Sequence, residues 1–167
     1  MKTVLGKLNK VAYYYLMIIL LLGLLFFNEL EKRSVYILFG FVLILFSFTI
    51  WLLFQRLKQI PRSTEHLVII FFCIGLLIFC IILSYANFYH LIYELRGKLA
   101  FRGSSLHAND FIYYSITTFT TTGYGDITSV GLISNMIAAS EMLMGYTIST
   151  VIMGVIATKV YQTNESK

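Results

Sequence analysis

Apolar residues along this chain gather into four long runs, at residues 11–27, 35–54, 67–93 and 130–160, the last of them richer in small and polar side chains. A hydrocarbon core about 30 Å thick takes roughly 20 such residues in helical form, so each run predicts a spanning helix. The first run has 17 residues and crosses with little tilt, whereas the third has 27 and must tilt or protrude. Between the third and fourth runs lies a shorter apolar stretch at residues 110–121. Its β-branched and aromatic content favours a strand, but an unpaired strand in lipid leaves its backbone unsatisfied. The pattern therefore predicts a short re-entrant helix opening at an Asn109 or Asp110 cap.

The polar segments set the orientation. With both ends inside, the cytoplasmic loops carry Lys2, Lys7, Lys10, Arg56, Lys58, Arg62, Lys159 and Lys167, against Lys32, Arg33, Arg96, Lys98 and Arg102 outside. That bias follows the positive-inside rule. Residues 55–66 hold the single proline, Pro61, and read as a cytoplasmic turn. The basic start and apolar first run resemble a signal peptide, but no small-x-small cleavage site follows, so the run is expected to be retained.

Composition narrows the function. Of 167 residues 58% are apolar, with 13 Lys or Arg and 8 Asp or Glu, and mean hydropathy is +0.79. A soluble domain has about a quarter of its residues charged, so this chain is expected to be a multi-pass protein of the cell membrane. The net charge of +5 is accounted for by loop orientation, and no nucleic-acid partner is expected. Cys73 and Cys80 lie seven apart in one run, share a helix face and read as packed thiols. His66, His90 and His107 are dispersed, without metal-ligand spacing, and no cofactor is expected. No nucleophile and base pair or carboxylate cluster points to an enzyme.

After the re-entrant helix comes Thr120-Thr121-Thr122-Gly123-Tyr124-Gly125-Asp126, in which glycines alternate with bulkier residues. In ordinary extended chain successive carbonyls point to opposite sides. Alternation between right- and left-handed conformations turns them all one way, and glycine makes the left-handed ones inexpensive. A line of oxygens is tolerable at membrane depth only beside a water- or ion-filled pore. One chain supplies one line, so a cage of such lines requires an oligomer.

This segment, with the helix before it and the flanking spans, resembles the selectivity-filter region of potassium channels, with Thr122 where the filter usually carries valine. The resemblance covers about residues 67–160. It implies an all-α homotetramer in the lipid bilayer: four transmembrane helices per chain, with a pore helix (110–121) and filter (121–125) between an outer helix (67–93) and an inner helix (130–160). Residues 1–10 would form a cytoplasmic N-terminus, 11–66 two accessory helices with their loops, 67–160 the pore domain, and 161–167 a short cytoplasmic tail. The permeant ion would be K+, held at Thr121, Thr122, Gly123 and Tyr124, with Gly125 closing the filter. Asp126 would ring the outer mouth, braced by Tyr113, with Tyr114 the second choice. Related channels often place a glutamate behind the filter, where this chain has Thr117.

Also by resemblance, Gly145, nineteen residues after Asp126, falls where such channels place an inner-helix hinge. Close helix packing is the alternative for it and for Gly154. Thr120, Tyr146, Ser149 and Met153 are candidates for lining the cavity. Glu141 is the one acid inside an apolar span. A hydrogen bond from Ser115 or Thr117 would make it a structural tether or a link between gate and filter.

A voltage-sensing helix carries Arg or Lys at every third position, and residues 35–54 contain neither, so no intrinsic voltage sensor is expected. Tyr13, Tyr14, Tyr15, Trp51 and Phe54 read as an interfacial aromatic belt. The gating stimulus, and any separate regulatory subunit, are not written in the sequence. A potassium-uptake subunit and a scaffold with a dead filter are the competing readings. A single intact filter argues against the first, and Gly123→Ala separates a channel from the second.

Overall fold

The computed structural model describes residues 2–26, 32–62, 67–104 and 106–165. Helix α1 (Lys2–Leu25) is followed by α2 (Lys32–Gln59), a 3-10 turn (Ile60–Arg62) and α3 (Leu67–Arg96). A second 3-10 turn (Gly97–Leu99) leads through the short strand β1 (Phe101–Arg102) to α4 (Ala108–Phe119). Strand β2 (Thr128–Ser129) then precedes α5 (Leu132–Glu165). Among the described residues three helices are long and apolar enough to cross a membrane, Arg33–Gln59, Leu67–Leu99 and Leu132–Tyr161.

The first run is helical as far as Leu25. Its helix takes in the lysine-bearing segment from Lys2, and its apolar part, Ala12–Leu25, is shorter than the three long spans. Residues 1, 27–31, 63–66, 105 and 166–167, with His66 and Lys167, lie outside the described residues.

Helix α3 is the structural axis. From Cys80 to Ile92 every residue on it is buried, because α1 and α2 cover one side and α4 the other. Met17, Ile18 and Leu21 of α1 pack on Cys80 and Leu83. The Asn87 amide donates to the carbonyls of Leu21 (3.0 Å) and Leu83 (2.8 Å), tying α1 to α3 with a fully used donor group. Both cysteines are free and buried. On α2, Phe39 and Phe46 meet Phe88 and Tyr85 with ring centroids 5.0–5.3 Å apart. The opposite face of α3 offers Tyr89 to a cluster with Phe101, Phe111 and Tyr114, mostly edge to face, the arrangement aromatic quadrupoles favour.

A two-stranded antiparallel ribbon, Phe101 opposite Ser129 and Arg102 opposite Thr128, closes the loops on either side of α4. Ser134 then donates to the Ala100 carbonyl at 2.9 Å, fixing the first turn of α5 to the end of α3. At the other end of α5 the Ile60–Arg62 turn packs against the helix, with Ile60 and Leu57 in the main core.

Candidate functional site

Helix α4 starts two residues earlier than the expected 110, because His107 is its N-cap and the Asp110 carboxylate accepts the His107 backbone N–H at 2.7 Å. It ends at Phe119, not at 121, because Thr121 takes a left-handed conformation with φ +57°. Gly123 (φ +52°) and Gly125 (φ +82°) share that region, so every second residue from 121 to 125 is left-handed. For a β-branched residue this costs about 1–2 kcal/mol, and Thr121 is the described non-glycine residue that adopts it.

Hydrogen bonds fix the direction of the chain here. The N–H of Thr121 donates to the Thr118 carbonyl (3.0 Å), and the N–H groups of Thr122 and Gly123 both donate to the Thr117 carbonyl (2.8 and 3.2 Å). In a planar trans peptide the C=O points opposite to the N–H. The carbonyls of Thr120, Thr121 and Thr122 therefore point away from α4, on the side of the chain left open. Residues 120–126 are all exposed on the single chain.

The same three N–H groups satisfy carbonyls at the end of α4 that a helix C-terminus otherwise leaves without partners. The negative end of the helix dipole lies at this point. Aligned carbonyls and a helix C-terminus together form an electronegative face without an acidic side chain, suited to a desolvated monovalent cation.

Thr122 lies 2.9 Å from the Thr120 hydroxyl, and Thr120 donates to the Ile116 carbonyl at 2.8 Å. The Thr120 proton is thereby used, so Thr122 is the donor between the two hydroxyls. Thr117 donates its hydroxyl to Tyr114 within its own helix, at 3.0 Å. At the outer end the ring of Tyr124, 72% exposed, stacks on Tyr113 at 6.4 Å and 9°. Asp126 sits beside Tyr113 and holds its phenol above the ordinary range, chiefly by hydrogen bonding. Tyr114 instead faces inward, its ring 4.9 Å from that of Tyr89. A cleft of about 400 Å³ lies behind this segment, between Tyr114, Thr117 and Thr118 on one wall and Asn135, Ala138 and Met142 on the other.

Helix α5 has one face turned inward, through Ala138, Glu141, Gly145 and Ile148. Tyr146, Ser149 and Met153, spaced three and four apart, share an exposed face. Gly145 is pressed against the end of α4, where an added Cβ would overlap the Phe119 carbonyl oxygen and lie 3.0 Å from its carbon. Gly154 has nothing within 4 Å of such a Cβ.

Glu141 is fully buried. Its Oε1 lies 2.5 Å from the Ser115 hydroxyl, and its Oε2 accepts from the Tyr89 hydroxyl at 2.5 Å. Of the two partners expected for it, the structure brings Ser115 and not Thr117. Sequence reasoning missed Tyr89, and also Tyr85, whose hydroxyl lies 3.2 Å from that of Ser140. Nothing in the sequence singled Tyr89 out, since residues 67–93 also hold Ser84, Tyr85, Asn87, His90 and Tyr93.

These features define a helical protein with helices long and apolar enough to cross a membrane, a short helix between the last two of them, and an exposed carbonyl segment. The model of the ion channel family matches residues 77–162, more than half of the chain, and the chain belongs to that family. The match takes in most of α3, all of α4, the carbonyl segment and α5 as far as Gln162, and leaves α1 and α2 outside it. No curated protein and no solved structure gives a match.

Proposed function

We propose that the chain is the subunit of a potassium-selective channel, a homotetramer that conducts K+ passively through carbonyl lines contributed by Thr121, Thr122, Gly123 and Tyr124. The observation that carries this reading is the direction of the backbone. N–H groups of residues 121–123 turn toward α4 while the carbonyls of residues 120–122 turn to the open side, and left-handed residues alternate through Gly125. Replacing the hydration shell of K+ takes several such oxygens around the ion. One chain offers one line, hence the fourfold assembly.

The exposed face of α5 at Tyr146, Ser149 and Met153 would border the inner cavity, and Asp126 would ring the outer mouth. Helix α5, the filter or both would gate the pore. Both termini would be cytoplasmic, with all four helices α1, α2, α3 and α5 in the cell membrane. Helix α2 has its basic residues at its ends, Arg33 near the start and Arg56 and Lys58 in the last turn, which supports a pore without an intrinsic voltage sensor.

The reversal potential of the purified protein in planar bilayers tests this reading, first under a potassium gradient and then with sodium replacing potassium on one side. It is expected to track the potassium Nernst potential. A current that does not distinguish the two ions refutes the potassium filter.

A further inference from the structure

The Glu141 carboxyl joins three elements, Tyr89 from α3, Ser115 from α4 and its own α5, and all three residues are fully buried. The hydrogens around it can be counted. Ser115 Oγ lies within hydrogen-bond distance of two oxygens, Glu141 Oε1 at 2.5 Å and the Ile82 carbonyl at 2.8 Å. Tyr89 accounts for Oε2. Three oxygen–oxygen contacts are thus shared by two hydroxyl groups, and a hydroxyl carries one proton. A proton on the carboxyl makes the third donor. Glu141 then donates to Ser115, Ser115 donates to Ile82, and Tyr89 donates to Glu141.

The surroundings agree with a neutral group. From α3 the titratable side chains facing this region are Tyr85 and Tyr89, and from α4 Tyr114. The ribbon contributes Phe101, against Tyr89. His90 is directed elsewhere, to Glu94 and Phe111. No cation is paired with Glu141 among the described residues, and an ionised carboxylate buried without one is strongly unfavourable.

We propose that Glu141 is a positioning residue held as the neutral acid, whose hydrogen bond to Ser115 sets the position of the pore helix against α3 and α5. This rests on the channel reading above. Ser115 stands six residues before Thr121 on α4, so a shift of that helix carries the Thr117 carbonyl and the filter N–H groups it accepts.

Two measurements test it. Infrared spectra of the wild-type protein in lipid are expected to contain the carbonyl stretch of a protonated carboxylic acid that is missing from Glu141→Gln. This readout does not depend on conduction. Currents from Glu141→Gln are expected to keep the wild-type reversal potential and decay rate, because the amide NH2 donates to Ser115 and its oxygen accepts from Tyr89. Glu141→Leu leaves both hydroxyls without that partner and is expected to favour a nonconducting filter by about tenfold or more.

A missing acid band, or a Gln variant that fails as the Leu variant does, overturns the proposal. Should the wild type show no potassium preference while the acid band is present, the channel reading fails and the protonated acid stands.

Discussion

Gly145 of α5 lies directly against the carbonyl of Phe119, the last residue of α4, so α5 and α4 meet there backbone to backbone. The position expected to bend is also a position of close approach, and glycine meets the steric demand by having no side chain.

Gly145→Ala is therefore expected to push α4 away from α5, at a cost of about 1–3 kcal/mol for overpacking, and to lower K+ current together with thermal stability in detergent. Gly154→Ala has open space. It should be neutral or raise helix stability by up to about 1 kcal/mol. Equal tolerance of the two alanines in paired unfolding and bilayer measurements would show that the Phe119 contact has no consequence.

Gly123 carries φ +52° and no neighbour within 4 Å of an added Cβ, so its constraint is conformational rather than steric. Gly123→Ala is expected to add about 1–2 kcal/mol of backbone strain and to turn the Thr122–Gly123 carbonyls out of line. Circular dichroism should report an unchanged helix content, since residue 123 lies outside every helix, while the K+ current disappears. A conducting alanine variant with wild-type selectivity would falsify the carbonyl-line mechanism.

The hydroxyl of Thr122 reaches Thr120 and, through it, Ile116. Thr122→Val removes one hydrogen bond, worth about 0.5–1.5 kcal/mol, and leaves the backbone N–H to Thr117 in place. The potassium-to-sodium permeability ratio is expected to hold, with a change in how fast current declines during sustained opening. Identical decay in both proteins would assign the hydroxyl no part in filter stability.

How much was legible follows from the physics of each part. Three long spans could be read because lipid imposes apolar runs of fixed length. The alternation at Thr121, Gly123 and Gly125 could be anticipated because glycine marks left-handed backbone, although Thr121 carries no such mark and is left-handed because the helix end must reverse. The ends of α4 shifted by two residues, since the Asp110 carboxylate serves the His107 N–H and so acts inside the first turn rather than as the cap. Ser115 was one of two candidates for Glu141, whereas Tyr89 lies 52 residues away along the chain, and no local pattern signals such a pairing.

The contact between the Ile60–Arg62 turn and α5 gives α2 a physical hold on the inner helix. Ile60 is 1% exposed and belongs to the same core as Leu57 and Ile148, with Ile152 and Val155 partly buried against it. Ile148, Ile152 and Val155 lie beyond Gly145 on α5, where a gating swing of the kind proposed would have its largest amplitude. Ile60→Ala should cost about 2–5 kcal/mol as a cavity and release the turn from α5. Selectivity, assigned by the proposed function to residues 121–124, is expected to stay unchanged, while single-channel open probability shifts. A variant that loses stability yet keeps wild-type open probability would mean that the turn braces the fold without restraining the gate.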